Sequence, residues 1–117
     1  MTEVFDIEQA RQFLRNWAAE RDWEQFHTPK NLAMALAGEA GELLEIFQWL
    51  TPEQAAALTD DPDRKRAAAD EVVDILQYLI RLADVLDIDL AEAFENKFAR
   101  NALRYPADEV RGSAEKR

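Results

Sequence analysis

Two pairs of acidic residues stand where the sequence predicts the apolar faces of helices. Glu39 and Glu42 are three residues apart in the segment ALAGEAGELLEIFQWL, and Glu71 and Asp74 repeat that spacing after 28 intervening residues. Residues three apart lie on one side of a helix, about one turn from each other. Leucines and isoleucines flank both pairs, so we expect all four carboxylates to face inward, where an unpaired ionised carboxylate is costly.

An inward carboxylate is stabilised by a hydrogen-bonded proton, by a Lys or Arg partner, or by a metal ion. The chain has 24 acidic residues but only 14 Lys and Arg, which fall largely outside these two helix faces. A divalent cation is therefore the favoured partner, and ligation by oxygen alone indicates Mg²⁺, with Mn²⁺ as a substitute, and not zinc. A structural polar network and ordinary surface placement remain as alternatives, because acidic pairs at this spacing also arise by chance.

Two glycines accompany the first acidic pair. Gly38 and Gly41 each precede a glutamate, and a glycine inside a helix costs about 1 kcal/mol relative to alanine. Such a cost indicates that something approaches the backbone closely. Either a neighbouring helix or a ligand over the carboxylates would explain the two glycines.

A cationic face is predicted on the last helix of the chain. Lys97, Asn101 and Arg104 stand at positions i, i+4 and i+7, and Tyr105 followed by Pro106 closes this face. These side chains could bind a phosphate chain. The alternative is an ordinary solvated face, with Arg104 near the negative end of the helix dipole.

Aromatic residues gather before the first acidic pair and close to both pairs. Trp23 and His27 lie in the segment DWEQFH, Trp49 follows the first pair, and Tyr78 is one turn beyond Asp74. Flat apolar side chains with one polar group suit a nucleobase. The alternative is that the aromatic rings belong to the core and that the histidine is structural.

Helix signals run through almost the whole chain and predict an all-α bundle. N-cap residues with helical stripes after them start five predicted helices, and a proline follows the cap in three of these. The predicted starts are Asp6, Thr28, Thr51, Asp61 and Asp89, and the predicted ends of the second, fourth and fifth helices are near Leu50, Leu86 and Tyr105. Residues 1–106 are expected to form one domain and residues 107–117 a polar, flexible tail.

Composition excludes several classes of function. The chain has no cysteine, which rules out disulfides and zinc–thiolate sites, and its formal net charge of −10 argues against DNA or RNA as a partner. No apolar run reaches the ~18 residues of a membrane span. We expect a cytoplasmic protein with no membrane partner.

Taken together, these motifs resemble a known family. The pattern of Glu39, Glu42, Glu71 and Asp74, followed by NKFARNALRYP, is similar to the MazG-like all-α nucleoside triphosphate pyrophosphatases. Within that superfamily, the segment ERDWEQFHTPKNLAMALAGEAGELLEIFQW resembles the dCTP pyrophosphatase branch. The resemblance extends over residues 7–106, and its specificity comes from the combination of motifs.

The resemblance implies a Mg²⁺-dependent enzyme that cuts a nucleoside triphosphate between its α- and β-phosphates, giving the monophosphate and pyrophosphate. The four acidic residues match the family's metal ligands and, with Lys97, its catalytic residues. The resemblance further implies two groups of substrate-binding residues. Those on the phosphate side are Lys97, Asn101, Arg104 and Tyr105. Those around the base are Trp23, His27, Trp49 and Tyr78. A four-helix core completed in a homodimer or homotetramer is also implied, with dCTP or a 5-modified dCTP as the expected substrate in nucleotide house-cleaning.

Leu14 is a departure from the family pattern, because eukaryotic members carry another pocket histidine at this position. Their preference for cytosine therefore does not transfer automatically.

Two other classes of function stay open. One is a di-iron carboxylate bundle, which would need more than the single Glu24–His27 pair, and the other is an acidic helical interaction module without catalysis.

Overall fold

A computed structural model gives the structure of residues 5–117, which are helical and contain no strand. The predicted all-α class is thereby confirmed. Short 3₁₀ turns at Glu24–Phe26 and Ala57–Asp60 join some of the α-helices. The helices are α1 (Ile7–Glu20), α2 (Pro29–Phe47), α3 (Pro52–Ala56), α4 (Pro62–Val85), α5 (Leu90–Arg104) and α6 (Ala107–Val110).

The predicted N-caps all form. The side chains of Asp6, Thr28, Thr51, Asp61 and Asp89 each accept a hydrogen bond from a backbone N–H in the first turn of the helix that follows. Thr51 also forms a complete capping box with the glutamine three residues later. Local hydrogen bonding of these short polar side chains therefore fixes where the helices begin.

The end of α2 differs from the sequence prediction. This helix stops at Phe47 and not near Leu50, and the Leu50 N–H donates to the Phe47 carbonyl in a tight turn at 3.0 Å. Pro52 disfavours a helical conformation at Thr51, which instead adopts an extended backbone and caps the next helix. The chain therefore needs the three residues before Thr51 to change direction.

The C-terminal segment is partly structured. Residues Ala107–Val110 form α6, and the backbone N–H of Arg117 donates to the Tyr105 hydroxyl at 2.8 Å. The flexibility of this segment, and its separation from a domain ending at residue 106, stay predictions.

The chain divides into two compact units, Met1–Leu86 and Asp87–Arg117. In the first unit α4 packs against both α2 and α1. Few apolar residues of residues 5–117 are fully buried, and they are Ala18, Leu32, Leu58, Ile80 and Ala83. None of the described helices is long and apolar enough to cross a membrane.

The second unit contains α5, whose apolar side chains are exposed to solvent. Every residue from 91 to 100 is exposed, and Phe94 and Phe98 stack with their ring centroids 4.6 Å apart. Leu103 is 84% exposed. A helix with an apolar stripe gains little stability until that stripe is covered.

A buried ion cluster ties α1 to α4 in the first unit. The Asp84 side chain is only 3% exposed and accepts from Arg81 at 2.9 Å, from Arg11 at 2.7 Å and from Arg15. These hydrogen bonds lower the pKa of Asp84 to about 2, and the one from Arg15 has the largest influence. Because the charge is buried and fully paired, removing either side of the cluster leaves an uncompensated ion.

Asp84→Asn is expected to lower the free energy of unfolding by about 3 kcal/mol, the cost of breaking a buried ion pair. Urea denaturation near neutral pH measures it, with Asp70→Asn, an exposed change on the same helix, as the control. The folded pKa lies below the ordinary 3.8, so the stabilisation is complete above that value and is lost as the pH falls toward about 2. Equal stability and equal acid sensitivity of the two variants would contradict a structural role for Asp84.

Candidate functional site

The packing of α2 against α4 brings three of the predicted carboxylates together. Glu39 and Glu42 come from α2 and Glu71 from α4, and one oxygen of each lies within 4.8 Å of the others. The spacing of three on α2 puts its two glutamates on the side that meets α4. Glu71 thus joins two glutamates that stand 29 and 32 residues earlier in the sequence.

Two oxygens of this cluster are buried without a donor. Neither Oε2 of Glu39 nor Oε2 of Glu71 receives a hydrogen bond from an N–H or O–H donor elsewhere in residues 5–117. Both side chains are half-buried, as the apolar stripe predicts, whereas Glu42 is exposed, so the inward orientation predicted for it is wrong. Buried oxygens without a donor are rare in folded proteins and call for a cation or a proton.

The electrostatics of the cluster reflect this crowding. The close Glu71 carboxyl, with which a protonated Glu39 could share its proton, is the largest influence, followed by burial and the nearby Glu42, and together they raise the pKa of Glu39 to about 7. Because the folded pKa lies above the ordinary 4.5, this group favours the fold below that pH, and the contribution is lost as the pH rises through 7. A bound cation would remove the same repulsion without a proton.

The donor set fits a hard divalent cation. Three carboxylates with two unpartnered buried oxygens supply oxygen ligands of the kind that Mg²⁺, Mn²⁺ and Ca²⁺ prefer. Asp74 lies outside the group of three, but its charge is close enough to contribute to the raised pKa of Glu39. Its Oδ1 accepts a hydrogen bond from Gln77 Nε2 at 3.1 Å.

The glycines beside the cluster face open space. A Cβ added at Gly38 or Gly41 would meet nothing within 4 Å in the described chain. A packed neighbouring helix of the same chain therefore does not explain them. The two alternatives that stay open are a ligand and a second protein chain.

An apolar groove of about 910 Å³ runs between α1 and α4. Of the predicted base-binding residues, it is lined by Trp23, His27 and Tyr78, and Leu14 lines it as well. Gln77 also lines the groove, and its Nε2 donates a hydrogen bond to Asp74, one turn from Glu71 on α4. The volume is within the range of small-molecule sites.

Trp49 is not brought to the groove within this chain. It follows the end of α2 and is 85% exposed, which excludes a core role for it here. A tryptophan this exposed is unusual on an isolated subunit and is typical of an interface or a ligand contact.

Arg81 and Asp84 are polar residues at this site that the sequence predictions missed. Arg81 lines the groove, is 8% exposed, and donates from Nε to His27 Nδ1 at 3.0 Å. The signal was present, because Arg81 lies between Ile80 and Leu82 on an apolar helix and Asp84 follows at i+3. Charged residues three apart on an apolar helix are the same kind of signal in this oppositely charged pair as in the two acidic pairs.

The predicted phosphate-binding residues belong to the second unit. Lys97 and Arg104 are exposed on α5, and Asn101 is half-buried. Tyr105 caps the helix and bonds to the C-terminal residue through its hydroxyl. A phosphate-binding role for these four residues stays a prediction.

Comparison with known proteins bears directly on this site. Residues 35–117 match the MazG-like family. The chain is 46% identical over 108 residues to dCTP pyrophosphatase 1 of Bos taurus and 44% identical over 110 residues to that of Homo sapiens, covering 92% and 94% of this chain. It spans 64% and 65% of the length of those two relatives, respectively.

A solved structure shows the same fold. The crystal structure of a pyrophosphatase from Archaeoglobus fulgidus DSM 4304 is similar with a TM-score of 0.77 and 36% sequence identity, covering 91% of this chain and 97% of that one. The family match includes the acidic cluster and the α5 residues, and the identity to the relatives extends over nearly the whole chain. The chain belongs to the MazG-like family.

Proposed function

We propose that this protein is a Mg²⁺-dependent nucleoside triphosphate pyrophosphohydrolase that cleaves between the α- and β-phosphates and releases the monophosphate and pyrophosphate. The observation that carries the proposal is the cluster of three carboxylates with two unpartnered buried oxygens between α2 and α4, because α4 also borders the apolar groove on its α1 side. Such a cluster provides the charge that a cation needs, and the groove provides a surface for a base.

The substrate proposed is dCTP or a 5-modified dCTP. Relatives at 44–46% identity are named dCTP pyrophosphatase 1, and the similar solved structure is named a pyrophosphatase. Leu14 lines the groove and gives a base an apolar contact there. Removal of a modified pyrimidine nucleotide from the nucleotide pool is the proposed role.

Metal binding is assigned to Glu39, Glu42, Glu71 and Asp74. A divalent ion bound there supplies charge neutralisation for the phosphate chain and a water of lowered pKa for attack. The protein side chains would position the ion and its ligands. The carboxylates fix the position of the ion, and Gln77 restrains one Asp74 oxygen by its hydrogen bond.

The remaining roles divide between base and phosphates. Trp23 and His27, whose ring centroids are 6.4 Å apart, and Tyr78 are proposed to hold the base in the groove. Stacking on aromatic side chains contributes about 1–3 kcal/mol per base. We assign contacts to the triphosphate to Lys97, Asn101, Arg104 and Tyr105, where positive charge would stabilise the departing pyrophosphate.

We further propose that the active form is a homodimer or a pair of dimers. The described chain buries few large apolar side chains, while Phe94, Phe98 and Leu103 on α5 and Trp49 after α2 are exposed. Exposed aromatic residues on this scale are typical of a surface that a partner covers. A second copy would supply that cover and would give Trp49 a role at the site.

The di-iron alternative loses its main support. His27 is the only histidine, and its Nδ1 is occupied by Arg81 and lies outside the three-carboxylate cluster. The non-catalytic interaction module remains the competing proposal, and it predicts indifference to metal.

Mg²⁺ is expected to raise the melting temperature of the wild-type protein, because an ion that binds only the folded state stabilises it by about 2.7 kcal/mol at 100 times its dissociation constant. Differential scanning calorimetry with Mg²⁺ and with EDTA measures this. Glu71→Gln should abolish the shift, whereas Glu45→Gln, on α2 but outside the cluster, should keep it. No shift in the wild-type protein would favour the interaction module.

Incubation with a panel of nucleoside triphosphates is expected to yield monophosphate and pyrophosphate only with divalent metal, as ion-exchange chromatography of the products would show. Glu42→Gln and Asp74→Asn should each lower kcat by about 10²-fold or more while leaving the circular dichroism spectrum unchanged, because each removes a ligand charge at nearly constant volume. If either variant keeps the kcat of the wild-type protein, the metal assignment is wrong. If the wild-type protein hydrolyses no nucleoside triphosphate, the proposed reaction is wrong.

Sedimentation equilibrium is expected to give twice or four times the monomer mass of 13.4 kDa. Phe94→Glu should shift the protein toward monomer, because it places a charge on the exposed apolar face of α5, whereas Glu95→Gln on the same helix should not. A wild-type chain that sediments as a monomer at micromolar concentration would exclude the oligomer.

A further inference from the structure

The single histidine of the chain is held by an arginine from one side. Arg81 donates from Nε to His27 Nδ1 at 3.0 Å. A guanidinium group carries donors only and does not lose its proton in proteins. The Nδ1 atom must therefore be the acceptor in this hydrogen bond, and it carries no hydrogen. In the neutral ring the proton then resides on Nε2.

Arg81 has little freedom to move. Its side chain is 9% exposed, and its Nη1 atom donates to Asp84 at 2.9 Å. Asp84 is fixed in turn by Arg11 and Arg15 of α1. The orientation of the guanidinium is thus set by a buried ion cluster that spans two helices, and its Nε–H is left to point at His27.

The surroundings also keep the imidazole neutral. Burial, and after it the positive charge of Arg81, lowers the pKa of His27. A second proton would have to enter at Nδ1, the atom that Arg81 occupies. Both the geometry and the local charge therefore favour a single form of the ring.

We infer that Arg81 is a positioning residue that fixes His27 as the Nε2–H tautomer, so that His27 offers a hydrogen-bond donor, and no acceptor, to a molecule in the groove between α1 and α4. The inference deepens the proposed function and, for the identity of the ligand, rests on it. A base that exposes a carbonyl oxygen or an unprotonated ring nitrogen at this point is bound, and one that exposes an N–H there is rejected. The Watson–Crick edge of cytosine carries two such acceptors, the ring nitrogen N3 and the carbonyl oxygen O2.

The experiment is NMR spectroscopy of the full-length, ¹⁵N-labelled protein without nucleotide. Because the chain has one histidine, every imidazole signal belongs to His27. We expect an Nδ1 resonance of the unprotonated type, an Nε2 resonance of the protonated type, and a scalar coupling across the hydrogen bond between Nδ1 and one arginine Nε. A protonated Nδ1, or no coupling to any arginine, would overturn the inference in the wild-type protein alone.

The variant Arg81→Lys shows which arginine is coupled to His27 and tests whether the tautomer affects base selectivity. The lysine keeps a positive charge for Asp84 but has no Nε–H in the guanidinium geometry. The coupling should vanish, and kcat/KM for the preferred base should fall by about tenfold relative to the other bases, the scale of one hydrogen bond. Arg64→Lys, exposed on the same helix, should leave both the coupling and the selectivity unchanged. An Arg81→Lys protein that keeps the wild-type base preference would contradict the role in selectivity.

The two proposals fail in different ways. If no nucleoside triphosphate is hydrolysed but the coupling is present, the proposed function is wrong and the tautomer assignment stands. If hydrolysis proceeds and the coupling is absent, only the role of Arg81 is wrong. The NMR measurement does not depend on turnover, so each result is read independently of the other.

Discussion

The site depends on like charges that the packing of α2 on α4 forces together. The acidic residues Glu39, Glu42 and Glu71 offer oxygens within 4.8 Å of one another, and two buried oxygens have no donor in the described chain. In water such carboxylates would separate. Here the packing of α2 on α4 keeps the carboxylates close together, so their repulsion is relieved by a proton or a cation. The pKa of Glu39 is raised for this reason, since the nearby carboxyls and burial disfavour a further negative charge.

A second buried ionic group has the opposite character. Asp84 is paired with arginines from α1 and α4, and its pKa is lowered and not raised. This cluster is satisfied within the chain, whereas the acidic cluster is not. The two groups differ in charge balance: Asp84 has its countercharges within the chain, whereas the acidic cluster has buried oxygens that no donor in the described chain satisfies. Arg81 connects the structural cluster to the groove through His27.

Much of the fold was predictable from the sequence because its signals are local. The caps at Thr28, Thr51 and Asp61, each followed by proline, fix the starts of helices through hydrogen bonds within a few residues. The end of α2 was misplaced because no single residue stops that helix, and the turn before Pro52 takes three residues. The helix-breaking effect of proline sets a limit for the helix but not its exact last residue.

The site was predictable only in part because its members meet through tertiary packing. Charges on apolar stripes pointed to the acidic residues, yet Glu42 is exposed, since its place at the rim of the α2–α4 contact depends on the relative rotation of the helices. Arg81 was missed because its partners lie 54 residues away at His27 and on α1. The contacts of Trp49 and of the apolar side chains of α5 were not predictable either, because these residues are exposed in the described chain.

The most direct test of the central claim is a crystal structure of the protein grown with Mn²⁺ and a dCTP analogue that has a nitrogen bridge between its α- and β-phosphates. Anomalous scattering would locate the metal. We predict a manganese ion held by Glu39, Glu42, Glu71 and Asp74, with the base of the analogue in the groove beside His27. Carboxylates without a metal, or an analogue bound away from them, would contradict the assignment of this cluster as the catalytic centre.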